Sequence, residues 1–390
     1  MTMRALALCA CLLAHGAPVC GQSIFNSAGM GLPIEPLDGR ARALGSFGIG
    51  LQGPALLPTD PAAAARVPLP TGVIAAQPSW VELSQEGSGQ HVYHQGTRFP
   101  LLGLAYRSLG GTLTLQFSSV FDQGYTGESA SDVVVGGTPI PATDRFVQEG
   151  SVSSLAAGYA RMLGPASAFG VSIGRYSGRV DRTLTRHFDG SSGLGAVDTY
   201  ISAGSWRYSG WSVTGGASTE LLADVRVAAS ATWSTDLEAH ASGFTEGSDR
   251  SFSVPLQLRV GASSVLTQGL AVSASAVRAD WTVAADDVGG ATRVRTVYGA
   301  GVGIELSQAR LFGREAPLRV GFRRTGLPFS VGGGDGTEQV YSGGLALVLN
   351  ESNGVVLATT DLGVERGRRT GGIVTEDFWR ATISLRLSAF

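Results

Sequence analysis

One short motif in the chain matches a pattern used by hydrolytic enzymes. Gly170-Val-Ser-Ile-Gly174 fits the G-x-S-x-G signature of a serine nucleophile, which requires the serine to stand on a sharp turn between a strand and a helix. Here Phe169, Val171 and Ile173 alternate with the small residues, and this alternation predicts a strand that continues through the motif. We therefore interpret Ser172 as a small inward-facing side chain, and we expect no catalytic residue and no enzyme.

Metal ligands are sparse. His91 and His94 stand three residues apart, but a metal site needs three or four ligands and no further ligand is close in sequence. Asp286-Asp287 and the glycine-rich run around Asp335 lie in predicted loops. Their carboxylates could hold calcium weakly, although a solvated turn is the simpler interpretation. The sequence predicts no metal site and no cofactor.

A set of polar and charged residues, mostly arginines, interrupts apolar stretches at every second position. These candidates for the lining of an interior are Arg226, Gln257, Arg259, Arg293, Arg295, Glu305, Arg319 and Arg323. Rings of charged side chains tune the selectivity of pores. Internal ion pairing that satisfies a polar interior is the alternative, and the sequence leaves both open.

Strict alternation of apolar and polar residues is the main structural signal. Leu113, Leu115 and Phe117 are separated by polar residues, and Leu256, Leu258 and Val260 alternate with Gln257 and Arg259. Several such runs reach ten residues or more, as transmembrane strands require, whereas strands of globular proteins are mostly about 5–6 residues long. The chain is 43% hydrophobic and 15% charged, yet beyond its first two dozen residues it has no stretch of about 18 apolar residues that would suit a transmembrane helix.

The alternating segments predict an all-β fold, a transmembrane antiparallel β-barrel of about fourteen strands. The predicted strands are 72–84, 99–108, 111–121, 149–162, 168–184, 199–216, 222–235, 250–264, 269–284, 293–307, 316–325, 338–349, 354–365 and 377–390. Short turns alternate with connections that are mostly longer and polar, which is typical of outer-membrane barrels. A soluble propeller or sandwich is the competing interpretation, but its strands would be shorter and its polar faces more charged.

The N-terminus has the features of a signal peptide. Arg4 supplies a positive charge, residues 5–14 are apolar, and small residues come next, with cleavage expected near Gly21 or Gln22. All three cysteines lie in residues 1–22, so the mature chain would have no disulfide. Lipid attachment through Cys20 is a weaker alternative, because Pro18 and Val19 precede it instead of small residues.

Residues 23–70 differ from the rest of the mature chain. The stretch is rich in Pro, Gly and Ala, and Asp60 with Pro61 resembles the start of a short helix. A wall of fourteen strands encloses more space than inward side chains fill, by comparison with eight-stranded barrels. We therefore expect residues 23–70 to plug the barrel of residues 71–390 from the short-turn side, with both termini at that side. A disordered linker is the alternative.

Two motifs of this segment resemble a known family. Ala41-Arg-Ala-Leu-Gly45 and Asp60-Pro-Ala62 are similar to the N-terminal hatch of the fatty-acid-transporter-like (FadL-like) outer-membrane proteins and their PorV/PorQ relatives. The sequence departs from that pattern where Ser46-Phe47 replaces Met-Gly and where Asp60 replaces Asn. The resemblance implies that the hatch residues are Arg42, Leu44, Gly45, Phe47, Asp60 and Pro61.

The resemblance also implies a function. It favours a passive outer-membrane channel for small hydrophobic molecules, gated by the hatch; the alternative is a non-transporting PorV-like barrel that docks or hands over partner proteins. The expected partners are outer-membrane lipid, a hydrophobic small molecule, and the barrel-assembly machinery, whose signal usually ends in an aromatic residue such as Phe390. The net charge of −2 gives no indication of nucleic-acid binding.

Overall fold

The computed structural model describes residues 23–87, 91–135, 138–188, 199–222, 224–242, 248–288, 292–311, 314–331, 333–352 and 355–388. The predicted signal peptide, residues 1–22, lies outside the described residues, and so does Phe390. Within the described part of the chain, no helix is long and apolar enough to cross a membrane.

Fourteen antiparallel strands form a closed barrel, which confirms the predicted fold. The barrel strands are β1 (Thr71–Gln85), β2 (His91–Ser108), β3 (Gly111–Asp122), β4 (Thr138–Leu163), β5 (Ser167–Phe188), β6 (Tyr200–Leu222), β7 (Val225–Ser234), β8 (Gln257–Thr267), β9 (Leu270–Asp280), β10 (Thr296–Leu306), β11 (Leu318–Gly326), β12 (Thr337–Ser352), β13 (Val355–Gly371) and β14 (Val374–Ser388). Neighbours in sequence pair with each other, and β1 closes the sheet against β14 from Thr71↔Ser388 to Gln85↔Val374.

The two ends of the barrel differ. One end, called here the short-turn end, carries tight connections such as Leu109-Gly110, where both residues have positive φ, as a two-residue hairpin turn requires. The other end, called the long-connection end, carries most of the longer connections. Those connections contain further short strands at Tyr125–Val135, Leu237–Ala241 and Arg250–Phe252.

The alternation predicted from sequence sets which side chains point outward. Leu115 and Val260 are 47% and 55% exposed, whereas their neighbours Gln116 and Arg259 are 4% and 5% exposed. Exposed apolar and buried polar residues reverse the usual pattern of a soluble protein. The outer face is therefore built for hydrocarbon, where a closed sheet satisfies the backbone hydrogen bonds.

Several strands are longer at the long-connection end than predicted. The predicted loop over residues 85–98 is mostly strand, since β1 and β2 pair as far as Ser84↔His91. The predicted loop over residues 122–148 contains Tyr125–Val135, which pairs with the first half of β4. Polar hairpins need no apolar face beyond the membrane, so hydrophobic alternation did not reveal them. At the other end, β6 continues through the predicted turn at residues 217–221.

Two predicted strands were too long. The segment 250–264 becomes strand β8 only at Gln257, and Phe252 and Val254 before it are buried. Pro255 cannot donate to a ladder, so the chain leaves the wall there. The segment 269–284 ends as a strand at Asp280, whose carboxylate accepts a hydrogen bond from the backbone of Thr282 and caps a short 3₁₀ helix, Trp281–Ala284.

The aromatic residues fall into two groups. Trp211, Trp233 and Trp379 are each about half exposed on the outer face, as expected for an interfacial girdle. Trp206, Tyr208 and Trp281 are instead buried with Met30 and Phe329 in a core at the long-connection end. These rings lie on inward-facing positions or in a connection, where they pack against other connections instead of lipid.

Candidate functional site in the barrel interior

Residues 23–70 pack against the inner face of the wall. They contain a 3₁₀ turn (Ile24–Ser27), a two-residue strand (Leu32–Pro33), a short helix α1 (Gly39–Ala43) and a second 3₁₀ turn (Pro61–Arg66). Their apolar side chains are buried in a cluster with wall residues such as Val73, Leu101 and Ala105. Leu44 and Phe47, two of the predicted hatch residues, are 3% and 1% exposed.

The segment runs along the length of the barrel. Its first described residue, Ser23, donates its hydroxyl to both carboxylate oxygens of Glu376 at 2.9 and 2.8 Å, and the backbone of Ile24 donates to the same carboxylate at 2.7 Å. Glu376 lies near the long-connection end of β14. The expectation that both ends of the mature chain lie at the short-turn side is therefore wrong for the described N-terminal end.

Helix α1 lies close to the wall because the facing wall residues are glycines. Asp38 caps the helix by accepting a hydrogen bond from the backbone of Ala41 at 2.8 Å. A Cβ atom added at Gly344 would lie 2.6 Å from the Cβ atom of Ala43, and one added at Gly363 would lie 2.7 Å from the carbonyl oxygen of Gly39. Both distances are closer than van der Waals contact, so a side chain at either position would push the segment away from the wall.

Charged residues of the segment meet opposite charges of the wall. Arg40 lies 2.9 Å from Glu305, which also lies 2.7 Å from Arg319. Arg319 in turn lies 2.6 Å from Asp361. The structure thus places two predicted lining residues, Glu305 and Arg319, in one chain of ion pairs that begins on the N-terminal segment.

A larger buried network surrounds Arg42. Its members are Arg42, Arg323, Arg369, Arg380, Glu338, Glu365 and Glu376, all less than a tenth exposed. Arg323 lies 3.1 Å from Glu365 and 3.3 Å from Glu338, while Arg42 lies 3.8 Å from Glu365. Burial lowers the pKa of Arg42 to about 9, with Glu365 opposing the shift, so this guanidinium stays charged at neutral pH.

Most of that network was missed at the level of sequence. Of its members, only Arg42 and Arg323 were singled out, whereas Glu338, Glu365, Glu376, Arg369 and Arg380 were not. The available signal was the alternation of inward and outward positions along the strand. Arg380 and Phe378 both lie on the face opposite the exposed Trp379. The same alternation places acidic residues at inward positions of the last three strands, where they can pair with the inward-facing arginines.

Asp60 holds the second half of the segment through hydrogen bonds and a nearby opposite charge. The Asp60 carboxylate accepts hydrogen bonds from the backbone of Gly50 and of Ala63, each at 3.2 Å. It lies 3.9 Å from Arg226, which donates to the carbonyl oxygen of Leu51 at 2.7 Å. Burial raises the pKa of Asp60, and the nearby Arg226 guanidinium opposes that shift.

The remaining predicted lining residues fall into two groups, one on the barrel wall and one in the connection before β10. Arg259 lies 3.1 Å from Glu35 and donates to the side-chain oxygen of Gln257 at 2.9 Å, so this pair faces the interior. Arg293 is exposed in the connection before β10, and its prediction as a lining residue is wrong. Arg295 donates to carbonyl oxygens of Leu327 and Gly336, which places it at the long-connection end. Both arginines precede β10, so the alternating residues at this point lie in a connection and not in a strand of the wall.

Two cavities adjoin residues 33–35, which line both of them. The first has a volume of about 80 Å³, and its lining combines apolar residues such as Phe47 and Trp281 with charged residues such as Arg323 and Glu338. The second has a volume of about 90 Å³, and its lining is mostly hydroxyl-bearing or small, with Phe121 and Tyr176 as its aromatic members. The N-terminal segment therefore lines two small pockets, and both combine apolar and polar side chains.

The wall is incomplete beside these pockets. Strands β2 and β3 pair only from Leu101↔Ser118 to Ser108↔Gly111, and among the described residues the rest of β2, residues 91–100, pairs with β1 alone. The end of β3 turns from β2 after Ser118 and pairs with Leu32–Pro33 of the N-terminal segment. The gap is bridged by a hydrogen bond that the Ser119 hydroxyl donates to the carbonyl oxygen of Phe99, at 3.1 Å.

The other candidate motifs do not form a reactive site. The G-x-S-x-G stretch is part of β5, and Ser172 lies inward and lines the second cavity. His91 lies on β2, 2.9 Å from Glu82, and within the described ranges no group of three or more His, Cys, Asp or Glu side chains is arranged to hold a metal ion. The Asp286-Asp287 pair accepts one backbone hydrogen bond, from Ser253 to Asp287 at 2.8 Å.

No protein-family model and no curated protein matches the chain. Solved structures do resemble it. The Ralstonia pickettii toluene transporter TbuX is 15% identical, covers 94% of this chain and 100% of its own, and superimposes with a TM-score of 0.59. A Pseudomonas aeruginosa FadL homologue is 10% identical, with coverages of 92% and 99% and a TM-score of 0.61.

The P. putida toluene transporter TodX gives a similar result, with 13% identity, coverages of 93% and 99%, and a TM-score of 0.58. Identities this low establish the fold alone. They agree with the fourteen-stranded wall and with its closure between the first and last strands. The chain therefore folds as a FadL-like β-barrel.

Proposed function

We propose that this protein is a passive outer-membrane channel for small hydrophobic molecules, gated by residues 23–70. The observation that carries the proposal is the position of residues 33–35, between two small cavities and beside the incomplete part of the wall. The structurally similar proteins include toluene transporters, which supports a hydrophobic ligand.

The gap between β2 and β3 supplies a route for an apolar molecule. A hydrophobic molecule gains nothing by crossing a water-filled pore, because its favourable environment is the hydrocarbon layer around the barrel. Because the β3 end pairs with Leu32–Pro33, movement of the N-terminal segment and opening of the wall at this level are coupled. We propose that the ligand enters from the long-connection end and leaves sideways near Ser119.

A reversible cross-link tests the gate. Pro33 and Phe121 are register partners, and the adjacent Ile34 backbone donates to Val120 at 2.8 Å, so Pro33 and Phe121 form a non-hydrogen-bonded pair. Such pairs have Cα atoms about 4.5 Å apart, within the range that a disulfide needs. The double variant Pro33→Cys/Phe121→Cys should take up toluene into proteoliposomes when reduced and lose most of that uptake when oxidised.

Each single cysteine variant is the matched control, since it cannot form the intramolecular bond. Uptake that is insensitive to oxidation in the double variant would contradict gating at this pair. If the reduced protein takes up no small hydrophobic molecule, and instead retains a protein partner in a pull-down, the channel function itself is wrong. Recovery of the mature protein as a soluble periplasmic protein would also overturn the proposal.

A further inference from the structure

We propose that the outer wall binds the phosphate group of a lipid headgroup through Arg324, Arg366 and Arg368, called here the arginine patch. The patch lies on β11 and β13 near the long-connection end. This inference rests on the outer-membrane placement proposed above. In outer-membrane barrels the longer connections are extracellular, so the long-connection end lies in the outer leaflet. It concerns the lipid around the barrel and is independent of what passes through it.

All three arginines point outward. Arg324 follows the buried Arg323, and Arg366 and Arg368 alternate with Glu365, Gly367 and Arg369, which face the interior. The Arg366 and Arg368 side chains are 43% and 62% exposed. The patch is therefore separate from the buried network inside the barrel.

The strand register places the arginines side by side. Arg324 is the partner of Gln339 on β12, and Gln339 is the partner of Arg368 on β13. Neighbouring strands lie about 4.8 Å apart, so the Arg324 and Arg368 backbones are roughly 10 Å apart across the intervening strand. Two long side chains that flank a neutral glutamine at this spacing can reach a single phosphate from both sides.

A row of mostly aromatic residues, which includes Arg366, lies two residues closer to the middle of the wall than Arg324 and Arg368. Phe322, Tyr341, Arg366, Trp379 and Trp80 are successive register partners over five strands. Tyr341, Trp379 and Trp80 are each about half exposed or more, and rings at this position mark the boundary between hydrocarbon and headgroups. The Arg366 guanidinium lies over the Trp379 ring at 5.4 Å, which holds it at that boundary.

The patch has an excess of positive charge. Arg366 and Arg368 share one carboxylate, Asp377, at 3.6 and 2.9 Å. Within the described ranges, Arg324 has no carboxylate at ion-pair distance. The three guanidiniums and the one carboxylate that contacts two of them carry two net positive charges, which favours the binding of an anion.

A phosphate on a lipid fits better than a dissolved anion. Guanidinium forks bind phosphate through paired charge-assisted hydrogen bonds. A lipid would bring its phosphate to the correct depth while its acyl chains contacted exposed apolar residues below, such as Val320. A free anion would gain only the electrostatic part, which salt screens over about 8 Å at physiological ionic strength.

Native mass spectrometry of the full chain in detergent micelles tests the proposal. The probes are bisphosphorylated lipid A, the same lipid after phosphatase treatment, and inorganic phosphate alone. We expect lipid A to bind at least about tenfold more tightly than the dephosphorylated lipid, because charged hydrogen bonds are lost with the phosphate. Equal binding of the two lipids, or equally tight binding of inorganic phosphate, would overturn the assignment to a lipid headgroup.

Variants locate the site. Arg324→Gln/Arg368→Gln should weaken lipid A binding by about tenfold or more. The control Arg161→Gln removes an exposed arginine near the short-turn end of β4 and should leave binding unchanged. Folding is checked by heat-modifiable gel mobility, and if the double variant does not fold, Arg324→Gln alone is measured. Wild-type affinity in the folded variant, or an equal loss in the control, would refute the patch.

Discussion

Single residues on the inner wall contact the N-terminal segment directly. Glycines let its backbone approach the wall, and acids such as Glu305 hold its arginines. Glu305 is shared between Arg40 of the segment and Arg319 of the wall. Removing one partner of a buried ion pair leaves an uncompensated charge, and this loss is larger than the net contribution of the intact pair.

The variant Glu305→Gln should therefore destabilise the protein by about 3 kcal/mol, measured as the free energy of unfolding in detergent. Both side chains of the Arg40–Glu305 pair are less than a fifth exposed, so solvent screens them little. Glu351→Gln, at an exposed end of β12, is the control and should change stability by less than roughly 0.5 kcal/mol. An equal, small effect at both sites would show that the segment is held by apolar packing alone.

At the level of strands, depth in the membrane matters as much as orientation. Leu256 and Val260 are both about half exposed on the outer face, but Leu256 precedes the first residue of β8 while Val260 lies within the strand. The cost of an arginine on the lipid face is greatest at the midplane and falls toward the interfaces. Sequence alternation alone gives both residues the same orientation and says nothing about this difference.

We expect Val260→Arg to cost about 2–4 kcal/mol and Leu256→Arg about 0–1 kcal/mol. Equilibrium folding into lipid vesicles in urea measures both values. The substitutions introduce the same side chain on the same face of one segment, so each serves as the control for the other. Equal costs would contradict the position of β8 along the membrane normal.

The strands were predictable to different degrees for physical reasons. The segment 111–121 agrees closely with β3, because Leu113, Leu115 and Phe117 alternate with polar residues. Tyr125–Val135 was not predicted, since a polar hairpin outside the membrane has no hydrophobic face to detect. Phe252 and Val254 continue the alternation of β8 in sequence, yet Pro255 ends the ladder and both side chains are buried.

The interior was predictable only in outline. The burial of Leu44 and Phe47 and the meeting of Arg40 with Glu305 agree with a segment placed inside the barrel. Which of its charges would meet which wall residue depends on long-range register, which the sequence does not show. The gap between β2 and β3 could not be read from sequence, because it results from β3 pairing with Leu32–Pro33 instead of continuing along β2.

At the scale of the whole molecule, the wall and the segment within it form one packed body. The wall closes on itself without needing the segment, since β1 and β14 pair from Thr71↔Ser388 to Ala76↔Ile383 and from Ser79↔Arg380 to Gln85↔Val374. The segment contributes the core of the lumen, with Leu37, Leu44, Leu57 and Ala62 almost fully buried against the wall. A barrel of this strand number without such a core would hold a wide aqueous interior.

Single-channel conductance in a planar bilayer tests this central claim most directly. The comparison is between the full mature chain and a variant lacking residues 24–66, with heat-modifiable mobility showing that each barrel is folded. If the N-terminal segment closes the lumen, the full chain should conduct little and the deletion variant should conduct ions clearly more. A full chain that is already open, with the same conductance as the folded deletion variant, would contradict closure of the lumen by this segment.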